Sequence, residues 1–251
     1  MHVPLLISTL ALVGCSSAPA RGPAGPFVEN PAPSRAETLF PAPRAPFTIQ
    51  AGEASEATLA HLVDEFSRAS GVHFVTSRET RQVLAVGRVG LTRPVEVAPE
   101  RAWELFETLL IDADFVIAPL MRGEPSVFGV YSLNAQTRQG LRNRAVTVDA
   151  AEIEAYARHP ALLVTTIVDL PNTDVRTLSN SMRTMFTDAN TQQIIPVGNS
   201  NSLIVTGFGP AVADIVALLR TVEASTRLAL ERRPAGQAPP EAEKPDGEKQ
   251  D

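Results

Sequence analysis

Between residue 47 and about residue 226, short apolar runs of β character alternate with one-sided apolar stripes at helical spacing. A helix that is apolar on one face only must lay that face on a sheet or another helix, so this order restricts the chain to layered α+β architectures. Four stripes stand out. Ser55, a good N-cap, precedes Leu59, Leu62, Val63, Phe66 and Ala69, and Ser70-Gly71 ends the run. Pro99 stands where helices tolerate proline, ahead of Ala102, Leu105, Phe106, Leu109 and Leu110. The third stripe, entered through Asn172 and Thr173, carries Val175, Leu178, Met182 and Met185; the fourth follows Pro210 with Val212, Ile215, Val216, Leu219 and Val222.

The β-like runs fall at 47–50, 72–76, roughly 83–97 with breaks, 115–120, 127–133, 162–170, 193–197 and 202–206. Their order with the helices predicts two small α+β domains. The first, 47–134, reads βαββαββ, and the second, 161–226, reads βαββα; residues 135–160 join them with a short helix at 149–156. Residues 15–46 are dense in Pro, Ala and Gly without any period, which predicts an extended tether. Residues 227–251 are expected to be disordered by composition.

The apolar stretch from Val3 to Val13 has the length of a signal-peptide core and is too short to span a bilayer. Leu12-Val13-Gly14-Cys15 resembles the bacterial lipobox. That resemblance implies a signal peptide over 1–14, lipidation at Cys15 and, with Ser16 rather than Asp following, anchoring at the outer membrane on its periplasmic side. Cys15 is the only cysteine, so neither an internal disulfide nor a thiolate metal site can form. A net charge of −6 without a Lys/Arg-rich stripe argues against nucleic acid as a partner.

No catalytic, cofactor or metal residues are expected. His61, His73 and His159 show no metal spacing, and no partner for His159 is visible in the sequence. Asp112 and Asp114 flank Ala113 after a helix, where paired carboxylates could serve acid/base work or a cation site, but a solvated helix-to-strand loop is the expected reading. Ser179, Ser181 and Ser200 lack a nucleophile-elbow context. Trp103 reads as a core-edge or subunit-contact residue. In GNSNSLIVTGFGPAV a dinucleotide fingerprint would need glycine where Val212 stands, and a phosphate nest would need the N–H that Pro210 lacks. The segment is therefore a hairpin strand and a joint into the last helix, with Gly207 and Gly209 letting the backbone reverse.

The residues from Val164 to Ala224 resemble a repeated periplasmic N-terminal domain of secretins, the outer-membrane channels of type II and type III secretion and type IV pili. The matching signs are a strand ending in Leu170-Pro171-Asn172 before a helix, the NSLIVTG strand at 201–207, and a closing helix ending in Val222-Glu223. FTIQAGEASEATLAHLVDEFSRASGVHFV is similar to the domain that precedes those units and also occurs in signalling TonB-dependent receptors. The resemblance implies a KH-like second domain and a non-catalytic protein whose partners are a secretin channel, other secretion-system components or copies of itself, with the membrane reached through the lipid. No β-rich channel core is expected after Thr226, so the chain reads as a detached periplasmic module. An unpaired strand edge at Leu203, Ile204 and Val205, or along 162–170, is the expected interface. A ligand-binding or signal-transmitting envelope lipoprotein is the alternative, and an apolar pocket between the domains would favour it.

Overall fold

A computed structural model describes residues 35–50, 58–135, 138, 140–186, 188–198 and 200–232. Cys15, Ser55, most of the expected tether and the tail past 232 lie outside the described residues.

Part of the segment read as tether is packed. Helix α1 (Arg35–Leu39) buries Ala36 and Leu39, and Phe40 follows them into the core. The Trp103 indole N–H donates to the Pro41 carbonyl at 2.9 Å, pinning the chain beyond the helix. Three apolar positions within a single turn are too few to show a period against a Pro-rich background. Their burial depends on partners more than sixty positions away.

Strand β1 (Phe47–Ile49) leads into α2 (Leu59–Ser70), which Thr58 caps by accepting the His61 N–H at 3.2 Å. Leu59, Leu62, Val63 and Phe66 are buried along one face, and the helix stops at Gly71, whose φ of 75° suits a residue without Cβ. After β2 (His73–Thr76), the stretch expected to be strand from residue 83 begins as a helix, α3 (Arg78–Val86). Ser77 accepts the Thr80 N–H, Glu79 lies in the first turn, and Thr80 and Leu84 are buried four residues apart. These capping signals outweigh the β preference of the valines, and only β3 (Val95–Val97) remains extended, paired with β1. Pro99 opens a 3-10 turn into α4 (Ala102–Asp112), followed by the antiparallel pair β4 (Phe115–Met121) and β5 (Val127–Ser132).

Residues 135–160, expected as a linker, are largely structured. Leu141, Val146, Val148, Ile153 and Tyr156 are buried, β6 (Val146–Thr147) pairs with the next strand, and the short helix is a 3-10 turn, Ile153–Tyr156. The second half runs β7 (Leu163–Asp169), α5 (Val175–Met182), β8 (Gln193–Pro196), β9 (Ser202–Phe208) and α6 (Gly209–Glu231). Asp174, rather than Asn172 or Thr173, caps α5 by accepting from the Arg176 and Thr177 amides. Met182 is core; the side chain of Met185 lies outside the described residues. Helix α6 continues to residue 231, past the expected limit of 226, though its buried residues end at Leu219.

The fold is α+β. A three-stranded sheet ordered β2-β5-β4 and a four-stranded sheet ordered β6-β7-β9-β8 each carry helices on one face, and one apolar core runs through both halves. At the seam, Ile117 of β4 bridges in parallel to Leu162, with the Ile117 amide donating to the Ala161 carbonyl at 3.0 Å.

Candidate interaction surface

The expected free edge at Leu203, Ile204 and Val205 is internal. Strand β9 lies between β7 and β8 and is paired on both sides, with Leu203 and Val205 fully buried. The outer side of strand β7 meets only the two-residue β6, at Val164 and Thr165, with the Val148 amide donating to the Thr165 carbonyl; from Thr166 to Asp169 that side pairs with no described strand, so the expected edge along 162–170 holds for its second half. The run Leu-Ile-Val is apolar at both parities, so its composition fits an edge or a centre equally; the seven-residue return of β7 decides for the centre. The described edges of this sheet are β8 on one side and, on the other, the two-residue β6 with the part of β7 beyond Thr165.

Register nevertheless puts Ile204 on a useful face. Ile167, Ile204 and Ile195 align across β7, β9 and β8, on the side away from α5 and α6, with Ile167 52% and Ile195 38% exposed. The neighbouring row is Thr165, Thr206 and Gln193, with the two threonine hydroxyls 2.8 Å apart. On the other flank the Ser202 hydroxyl donates to Asp169 at 2.6 Å. An apolar row between two polar rows, ending at a free strand edge, is suited to docking.

The three-stranded sheet treats the same face differently. Tyr131 folds over Gly129, where a Cβ would collide with its ring, and the Arg144 guanidinium sits 4.6 Å above the ring centre. Val116, Leu141 and Leu163 pack beside it. Val75 and Met121 remain exposed there.

His159 has a partner. Its Nδ1 lies 2.6 Å from Glu107 Oε1, while Glu107 Oε2 accepts the Ala161 amide at 3.1 Å; Glu107 is fully buried. Burial pushes the Glu107 carboxyl above the usual carboxylate range, against the opposing pull of His159 and the Ala161 N–H. Sequence reasoning passed over Glu107. The available signal was a charged residue on the apolar stripe of α4, four after Trp103 and three before Leu110.

The other candidates serve local structure. His61 pairs with Glu65 on the exposed face of α2, and His73 is exposed on β2. Asp114, at φ 62°, accepts from the Asn134 side chain at 2.9 Å and closes the loop after α4. The hydroxyls of Ser179, Ser181 and Ser200 donate to backbone carbonyls. Gly207 and Gly209 have ordinary negative φ, so close approach rather than unusual backbone conformation explains them: a Cβ on Gly209 would run into the Tyr156 and His159 carbonyls. Among the described residues no group of three or more His, Cys, Asp or Glu side chains could hold a metal, and no helix is long and apolar enough to cross a membrane.

Two further carboxylates lock loops. Asp188 is partly desolvated, which alone would raise its pKa, but Arg138 at 2.7 Å, the Asn190 amide and Thr191 bring it down to about 2. Desolvation likewise opposes the hydrogen bonds from Thr173 and Asn172 to Glu223, and the bonds prevail, holding its carboxyl below the ordinary range.

No family model and no curated protein sequence matches the chain. Among solved structures, a chain of the Klebsiella pneumoniae type II secretion system outer membrane complex (PulD, PulS and PulC HR domain) superposes with a TM-score of 0.52 at 16% identity, over 66% of this chain. The fold is that of secretin N-terminal domains. The superposition covers 26% of the Klebsiella chain. A chain of the enterotoxigenic Escherichia coli GspC-GspD complex matches 72% of this chain and 99% of its own length at 15% identity, with a TM-score of 0.28. The N-terminal domain of the secretin XcpQ from Pseudomonas aeruginosa matches 71% and 66% at 14% identity, with a TM-score of 0.24.

Proposed function

We propose that this chain is a non-catalytic lipoprotein of a secretin-type protein secretion or pilus system, anchored through Cys15 in the outer membrane on its periplasmic side. Its second half would supply the KH-like unit of that family. It acts by position: the tether holds a secretin-like domain pair near the membrane, and domain faces bind a secretin channel, another secretion component or a second copy. Anchoring raises effective concentration, so modest contacts suffice. The observation that carries this reading is the secretin N-terminal fold, supported by the row Ile167, Ile204, Ile195 beside the free edge of β8. Mild solubilisation of native membranes, capture of the full chain and mass spectrometry test it. A secretin should co-purify; its reproducible absence would sink the proposal. A Cys15→Ser variant should leave the membrane fraction, and one that stays would remove the anchor.

A ligand-binding or signal-transmitting lipoprotein is the second reading. It is supported by a cavity of about 530 Å³ at the seam.

A further inference from the structure

The seam cavity opens between the α1 turn, the start of α4 and the residues around the 3-10 turn Ile153–Tyr156. Phe40 and Trp103 contribute its aromatic wall, 5.0 Å apart edge to face, and Phe40 stacks on the His159 ring at 3.7 Å. Its rim is acidic. Glu37, Glu100, Glu104 and Glu154 line it against a single arginine, Arg158, and Glu104 is already engaged by Arg101 at 3.1 Å. Glu100 and Glu154 are exposed, and their carboxylates make no hydrogen bond or ion pair among the described residues.

His159 adds an observation independent of that charge. Its side chain is only 9% exposed, Nδ1 is committed to Glu107, and Nε2 makes no hydrogen bond among the described residues. Two arrangements of the buried pair carry no net charge: imidazolium beside carboxylate, or imidazole accepting at Nδ1 from the protonated acid. Both place a proton on Nε2. Neutral imidazole beside ionised Glu107 would instead leave a buried net charge, which the burial of Glu107 disfavours. The ring edge left for the cavity is therefore a donor that faces the cavity and has no acceptor among the described residues.

A donor, an acidic rim and an apolar aromatic wall call for one ligand that carries a carbonyl, a cation and an aliphatic stem. Anions are repelled by the rim, and a bare metal finds no ligand cluster among the described residues. We propose that the seam cavity is a docking pocket for an arginine or lysine side chain of a partner polypeptide. His159 Nε2–H donates to a backbone carbonyl of that partner, Glu100 and Glu154 receive the cation, and the Phe40–Trp103 wall packs its methylene stem. This chemistry does not require the partner to be a secretin, so the co-purification experiment and the one below fail independently.

Trp103 is the only tryptophan, so the emission of the full chain reports on the cavity. The full chain is titrated with N-acetyl-arginine N-methylamide and with the citrulline analogue, which matches it in shape but lacks the charge. Arginine should produce a saturable change with an apparent Kd at least fivefold tighter than citrulline. The double variant Glu100→Gln/Glu154→Gln, confined to exposed positions, should lose at least fivefold in arginine affinity with an unchanged far-UV spectrum. No saturable change, an equal response to citrulline, or full affinity in the double variant would each overturn the proposal.

Discussion

Two carboxylates tie distant parts of this chain together and take opposite positions on the pH scale. Glu107 at the seam meets His159 and the Ala161 amide, 52 and 54 residues away; Asp188 in the second half meets Arg138, 50 residues away, besides its own loop. Both accept several hydrogen bonds. Glu107 is raised because it is fully buried and the loss of water outweighs its partners, whereas Asp188 keeps enough solvent for an arginine and local donors to bring it down to about 2. Hydrogen-bond number alone does not decide a carboxylate's charge; residual hydration does.

The contrast predicts opposite pH slopes. Asp188 binds fewer protons folded than unfolded, so its stabilisation is complete above about pH 4 and is lost as pH falls toward about 2. Glu107 binds more protons folded, so it costs stability as pH rises through and above the ordinary carboxylate range.

The largest effect is expected for Glu107→Ala, which strands a buried histidine and an amide and should cost about 3–5 kcal/mol in denaturant unfolding. Glu107→Gln keeps an acceptor for Ala161 and a donor for Nδ1; it should cost clearly less and remove the downward slope with pH. A Gln variant as damaged as the Ala variant would break the comparison. Gly209→Ala comes next, at about 1–3 kcal/mol, because the obstructing groups are the Tyr156 and His159 carbonyls of the same seam, and backbone gives way poorly. Normal stability in that variant would mean that the seam is looser than described. Asp188→Asn should cost about 1 kcal/mol near neutral pH and flatten the profile between about pH 4 and 2. Thermal unfolding across that range measures both. Smallest in stability is Ile195→Asp, within about 0.5 kcal/mol, because the residue faces outward on an edge strand. Its expected loss is in secretin co-purification, and unchanged capture would remove β8 from the interface.

The helical stripes of α2, α4, α5 and α6 and the β8–β9 hairpin were legible because burial on one face leaves a local period. The helix α3 was misread from valines that a capped turn overrides, and α1 was too short to register. The interface edge was misplaced for a different reason. A hydrophobic strand advertises that it is buried, but not how many neighbours bury it, so Leu203, Ile204 and Val205 fitted either place. Glu107 was readable only as an anomaly within a stripe.

The sequence by itself determined the alternation of elements, the one-sided faces and, through Pro210 and Val212, the absence of a dinucleotide fingerprint at the joint before α6. Only the tertiary structure decided that β9 is central, that residues 35–41 join the core, and that His159 meets Glu107. Periodicity records which way a side chain points relative to its own backbone. Which group waits on the other side depends on closing loops of some fifty residues, and composition carries no mark of that.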